Sequence, residues 1–402
     1  MIYKNNDRSK IESAYMIIAL SLFSVDFKLQ GVTVFLVAAL VFFTINHRVS
    51  IDASGAILIC FGVTFFLFFF PSQYFDISIV KTVLAVMLAY LLGYSQDNIT
   101  ESTVINTIKL IAIFMALHGV LNLLYNLSIF GTQAFSIARS YDFWSQAISG
   151  STGQATKFTP FLSVFFYLLF VDKKFKSKLI AGILVIAMTL YNIELGGRSY
   201  FILFAIATFT SYLIYGLKSD TFKKSVRILL VIVGIAIIFV VIYQMDIFGV
   251  KTTVESSYFF HRFFSVSGQK INEDDRVLKK IEYLKNMWNY PFGGSNIRTA
   301  LHIGYAHELW LDIFDMVGIV PYVLLVGYTF AAIARAIRVF RTNGLETGTY
   351  VIVGTFYLIM LVQFFIEPVI YGSPKLVIAF CLIDGLVARL QKTKKEIVNY
   401  ES

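Results

Sequence analysis

Residues 178–217 read KLIAGILVIAMTLYNIELGGRSYFILFAIATFTSYLIYGL, two apolar runs divided by a short turn at Gly196, Gly197 and Arg198. Each run approaches the ~20 residues that an α-helix needs to cross a hydrocarbon core of ~30 Å. The same pattern recurs along the chain, with apolar runs at about 12–25, 31–45, 53–70, 76–94, 104–130, 158–172, 178–194, 199–217, 227–244, 305–333, 349–371 and 374–390. Composition agrees: 57% of residues are hydrophobic, 15% are charged, and the mean hydropathy is +0.72. Water cannot be the main solvent of such a chain. The expected fold is all-α, a polytopic transmembrane bundle of about twelve spans, with residues 1–402 forming a single integral membrane domain. The opening MIYKNNDRSK leads into an apolar run without a small-residue cleavage site, which predicts a retained first span and not a signal peptide.

The formal net charge of +9 would suggest nucleic acid in a soluble protein, but here the charges cluster between apolar runs and report membrane orientation. MIYKNNDRSK, NHR, DKKFKSK, KSDTFKKSVR, RAIRVFR and QKTKKE all fall on one side, which predicts both termini in the cytoplasm. YSQDNITES is the connector on that side without Lys or Arg. No nucleic-acid partner is expected. Cys60 and Cys381 lie inside apolar runs, which argues against a disulfide scaffold or a Cys-based metal site and suggests packing roles.

Two segments on the opposite, outer side are long enough to carry function: 131–159, and 245–304 between spans nine and ten. In the second, Val277, Ile281, Leu284 and Trp288 recur at helical spacing after the acidic cluster EDD, predicting an amphipathic helix near the membrane surface. Pro291, Gly293 and Gly294 then impose a turn. No convincing pairing of halves, as in many transporters, is visible.

Ionisable residues at membrane depth cost about 2.5–3.5 kcal/mol each on insertion scales, so they tend to face a cavity and a function. Arg198, beside two glycines, either snorkels to headgroups or pairs with Glu194, or its planar fork clamps a phosphate. His307 opens the run AHELWLDIFDMVGI, and on a helix its face is shared by Leu311, Phe314 and Gly318. A histidine there is either a satisfied interfacial residue or a proton carrier. Glu308, Asp312 and Asp315 follow at i, i+4 and i+7. Three carboxylates on one line repel and resist desolvation, so the stripe should face a wet cavity or basic partners. Arg139, Lys157, Arg262, Lys270, Arg276, Lys279, Lys280, Lys285 and Arg298 are the candidates on that side.

Three strings, ELGGRSYF, DDRVLKKIEYLKNMWNYPFGGSN and AHELWLDIFDMVGIVPYVLLV, resemble in order, spacing and sidedness the motifs of the O-antigen polymerase and O-antigen ligase superfamily. They cover about residues 190–330. The family's common Asn after the His is Glu308 here, and its acid just before the Gly is replaced by Met316, with Asp315 one residue earlier. The resemblance implies a GT-C-like membrane glycosyltransferase of the bacterial cytoplasmic membrane, with its active site facing the periplasm or exterior. Its substrates would be polyprenyl-pyrophosphate-linked oligosaccharides, the repeat units that it joins into an O-antigen or capsule. Arg198 and Arg276 would hold the donor pyrophosphate, with Arg298 or Arg139 as a third contact; His307 would be the general base, and Glu308 would orient it or act as the base itself. No metal and no nucleotide cofactor is expected, because no metal-ligand cluster or Gly-rich nucleotide loop is apparent and the lipid pyrophosphate already stores the energy. Membrane lipids, a chain-length regulator and a flippase of the same pathway are the further candidate partners. The competing readings are a ligase that moves the finished glycan to another acceptor, and a flippase for lipid-linked oligosaccharide.

Overall fold

A chain segment in hydrocarbon must satisfy its own backbone polar groups, so apolar runs of this length fold as helices. The computed structural model describes residues 14–71, 75–97, 99–136, 140–218, 234, 240–255, 260 and 275–401. Most of the apolar run 227–244, together with Arg139, Arg262 and Lys270, lies outside the described residues. In chain order the principal helices are α1 (Ala14–Ser24), α2 (Gly31–Asn46), α3 (Ala53–Phe69), α4 (Ile77–Tyr94), α5 (Glu101–Phe130), α6 (Thr159–Phe170), α7 (Phe175–Glu194) and α8 (Arg198–Lys218). They are followed by α9 (Asp275–Asn286), α10 (Leu309–Val317), α11 (Ile319–Arg341), α12 (Thr347–Ile366) and α13 (Pro374–Glu401). Among the described residues, six helices are long and apolar enough to cross a membrane: α4, α5, α7, α8, α11 and α12, while α1, α2 and α3 are shorter apolar helices. The protein is thus a largely helical membrane protein.

The chain divides into two compact units, the first comprising 1–115, 271–342 and 364–402, the second 116–270 and 343–363. In the first unit α4 packs along α13, α3 along α11, and α2 along α4. The α4–α13 crossing is backbone on backbone: a Cβ built on Gly93 would lie 2.8 Å from Leu386 N, and one on Gly385 would lie 3.0 Å from Tyr94 N. Small residues permit such approach between membrane helices, where packing and hydrogen bonds replace the hydrophobic drive. Asp52 and Asp76 cap α3 and α4, accepting from Gly55 N at 2.9 Å and Ser78 N at 2.8 Å. Beneath α3 lies a buried polar knot. Arg335 of α11 donates to Asp384 of α13 through Nε (2.7 Å) and Nη2 (3.1 Å) and to Ser54 Oγ (2.8 Å), while the Tyr328 hydroxyl donates to Asp384 at 2.7 Å. Cys381 is buried in α13; Cys60, expected to pack, faces outward from α3.

Two sequence expectations change here. The run 305–333, read as one span, is two helices broken at Gly318, whose φ of 86° and ψ of −170° no other residue adopts cheaply. The loop Pro291–Ser295 fills the break: Ile319 N donates to Pro291 O (2.9 Å), Gly294 N to Met316 O (3.0 Å) and Ser295 N to Asp315 O (2.7 Å). A Cβ on Gly293 would lie 2.6 Å from Val317 N. The PFGG turn and the glycine of the apolar run are therefore two halves of one joint. The second change concerns α9, which forms where expected but turns Tyr283 and Met287 into the core with Ile297, Ala306, Leu311 and Phe314. The stripe that spacing selected is largely on the outside, with Ile281, Leu284 and Trp288 exposed.

In the second unit α6 packs on α8 and α7. A two-stranded hairpin, β1 (Ser140–Tyr141) and β2 (Ile148–Ser149), pairs Ser140 with Ser149 and Tyr141 with Ile148.

Candidate functional site

In the first unit the candidate residues gather around the N-terminus of α10. Glu308 occupies the N-cap position with an extended backbone, and His307, one residue earlier, has a φ of 64°. His307 therefore precedes the helix on which the sequence reading placed it. Its ring packs against Tyr305, with centroids 4.4 Å apart, and Tyr305 in turn lies 5.4 Å from the ring of Tyr371. Ala306 N donates to Asp312 Oδ1 at 2.9 Å, which ties the His307 loop to the first turn of α10.

Two of the three carboxylates of the acidic stripe meet a basic partner. Glu308 lies 3.4 Å from Lys280 Nζ, and Asp315 receives Nε and Nη2 of Arg298. Asp312 is fully buried and held by the backbone. Burial raises the Glu308 carboxyl above the usual carboxylate range, against the pull of the Lys280 ammonium. Such a group accepts a proton more readily than a solvated Glu.

Helix α9 also supplies cations to the end of α12, whose last carbonyls have no partner within the helix. Lys280 Nζ donates to Phe365 O at 2.6 Å and Arg276 Nη1 to Ile366 O at 3.2 Å, with Glu367 3.6 Å from Arg276. Cations suit that end of a helix. Arg276, Lys280 and Arg298 thus each stand beside a carboxylate, and the cluster is close to charge balance. Glu367 and Tyr371 were missed by sequence reading, since nothing in EPVIYG marks them beyond polarity at a helix end.

Beside this cluster lies a cavity of about 270 Å³. Asp76, Ser78 and Thr82 from the start of α4 line it together with Ser295, Arg298 and Tyr371.

Arg198 belongs to the second unit, where it opens α8 and is half-buried. Glu194, at the end of α7, is buried, and neither of its carboxylate oxygens has a hydrogen-bond partner among the described residues. The same unit holds a buried polar network centred on Asp142. Its Oδ2 lies 3.0 Å from His118 Nε2 and 3.3 Å from Lys157 Nζ, and accepts from Gln154 Nε2 at 3.3 Å; its Oδ1 accepts from Trp144 N at 3.0 Å and Ser145 N at 3.2 Å. Asn122 Oδ1 accepts from Phe143 N, and Asn126 brackets Tyr141 with both its amide atoms. The network clamps the hairpin to α5. His118, Asn122 and Asn126 stand at i, i+4 and i+8 in the otherwise apolar stretch 110–127 of α5, a polar stripe that sequence reading overlooked.

Burial alone would raise the Asp142 pKa, but the His118 hydrogen bond and the Lys157 charge outweigh it and hold the carboxyl well below the usual carboxylate range. A depressed pKa contributes stability that is present above the unfolded value of ~3.9 and is lost as pH falls through the folded value. Acidification from pH 7 to 5 should therefore leave the hairpin protected, and loss should begin only below about pH 4. Asp142→Asn keeps the backbone contacts but leaves Lys157 without its counter-charge, at a cost of roughly 1–3 kcal/mol at neutral pH. Hydrogen exchange of the 140–149 amides measures both effects; protection unchanged in Asp142→Asn would refute them.

The chain matches no protein-family model and no curated protein.

Proposed function

We propose that this chain is a membrane glycosyltransferase that polymerises polyprenyl-pyrophosphate-linked oligosaccharide repeat units of a surface polysaccharide at the outer face of the bacterial cytoplasmic membrane. The observation that carries the reading is the grouping of His307 and Glu308 with Lys280, Arg276 and Arg298 in the loop and short helices ahead of α11. About twelve spans with both termini in the cytoplasm, read from the basic connectors, put that grouping on the outer side.

In this reaction a sugar hydroxyl of the acceptor attacks the anomeric carbon of the donor glycan. A new C–O bond forms, the bond to pyrophosphate breaks, and the configuration inverts. Glu308 or His307 takes the hydroxyl proton; burial prepares the former, and the latter carries imidazole, the group most often used as a general base. The cations that the resemblance assigns to the departing pyrophosphate, whose charge grows as the bond breaks, are Arg276 of the first unit and Arg198 of the second. Arg298 contributes less, because Asp315 already balances it.

Arg198→Ala and His307→Ala, tested separately at confirmed membrane levels, should abolish the long-chain polysaccharide ladder and leave single repeats. Loss of the general base should slow turnover by about 10²–10⁴-fold. A normal ladder from both variants sinks the catalytic assignment. Long lipid-linked chains that fail to transfer point to a ligase, and single units trapped on the inner leaflet point to a flippase.

A further inference from the structure

The cavity between the start of α4 and Arg298 has open bonding positions of both signs. Arg298 spends Nε and Nη2 on Asp315, Ser295 and Tyr371, and its Nη1 makes no hydrogen bond among the described residues. Asp76 uses Oδ1 for the backbone and hydroxyl of Ser78, and its Oδ2 accepts from nothing among the described residues. The Tyr371 hydroxyl accepts from Arg298 at 3.2 Å and retains its own proton to donate. Phe69, Ile79 and Ile370 supply apolar walls.

We infer that this cavity binds one pyranose ring of a glycan, with Asp76 and Arg298 dividing the ring hydroxyls between an acceptor and a donor. The inference rests on the glycosyltransferase reading and takes Arg298 away from the pyrophosphate. An anion entering here would meet the Asp76 carboxylate, and the guanidinium it sought is already neutralised by Asp315. A sugar hydroxyl both donates and accepts, so it can use Asp76 Oδ2 and Arg298 Nη1 without net charge, and charge-assisted bonds are the stronger kind. Apolar walls with a few fixed polar groups are the usual make-up of small-ligand sites. At about 270 Å³ the cavity is at the small end of their range of ~300–1,000 Å³, suiting a single ring over an extended oligosaccharide.

The test uses the full chain in lipid nanodiscs, with saturation-transfer NMR for a neutral hexose, an N-acetylhexosamine and a hexuronic acid as separate probes, and phosphorus NMR line broadening for inorganic pyrophosphate, which has no carbon-bound proton. Ser78 is exposed in the first turn of α4, so Ser78→Phe fills the cavity without entering the core. Asp76→Asn preserves the helix cap, since Asn caps as well as Asp, and removes the charge. At least one sugar should be saturated by the native chain, with binding weakened about tenfold or more by Ser78→Phe and by about five- to tenfold in Asp76→Asn. The proposal is overturned by absence of saturation for every sugar, by full saturation in either variant, or by pyrophosphate being the one probe whose binding the variants lose. The two readings fail separately. Sugar binding lost in Ser78→Phe while Arg198→Ala and His307→Ala keep a normal ladder leaves the subsite and removes the polymerase. A ladder lost in those variants with no sugar bound does the reverse.

Discussion

Arg335→Ala should destabilise the protein by about 3–5 kcal/mol, the usual cost of removing one partner of a buried ion pair. Arg335 is 3% exposed and Asp384 is 0% exposed, so water cannot replace the lost guanidinium. Asp384 would keep the Tyr328 hydroxyl at 2.7 Å and lose both charged donors, and Ser54 would lose a third contact. The knot joins α3, α11 and α13, and through the Tyr90 hydroxyl on Asp52 it reaches α4. The effect should therefore spread over the first unit. Thermal unfolding in detergent, followed by fluorescence-detected size exclusion, measures it. Arg335→Met combined with Asp384→Leu should recover much of the loss, because an apolar pair of similar volume leaves no charge stranded. A double variant as unstable as the single one would show that the knot's value lies in shape and not in charge compensation.

Gly318→Ala should be nearly as damaging, at about 2–6 kcal/mol from the backbone conformation and the overpacking together. A Cβ at this position would meet the Pro291 carbonyl and lie 2.8 Å from Phe292 Cα. The joint would open, releasing the bonds from Ile319 N and Gly294 N. Ser295 and Arg298 follow directly in sequence, so the Arg298–Asp315 pair should loosen with it. The expected result is a lowered unfolding temperature together with fast hydrogen exchange at Gly294, Ser295 and Ile319. Native exchange at those three amides in Gly318→Ala would refute the joint.

Much of the fold was legible because membrane helices announce themselves by length and apolarity alone, as in 178–194 and 199–217, which become α7 and α8. The break at Gly318 was not, since the residues around it are as apolar as any span and its cause is a loop that returns from Pro291. The acidic stripe on α10 was legible as needing basic partners, but the choice of Lys280 for Glu308 and Arg298 for Asp315 depends on how α9 docks. On α9 both flanks are apolar, so spacing could not tell the protein-facing Tyr283 and Met287 from the exposed Ile281, Leu284 and Trp288. Asp384 stood in plain view inside the run 374–390 and Arg335 in the basic connector RAIRVFR; their pairing joins residues 49 positions apart, a distance no local pattern encodes.

The contact of α4 with α13 at Gly93 and Gly385 has a consequence for traffic through the bilayer. Two helices whose backbones touch leave no slot wide enough for an acyl or prenyl chain, so this seam is closed to lateral passage of a lipid substrate. On the proposed glycosyltransferase reading, a lipid-borne donor would have to reach the protein by another doorway. Widening the seam would part the helices long before it opened a portal.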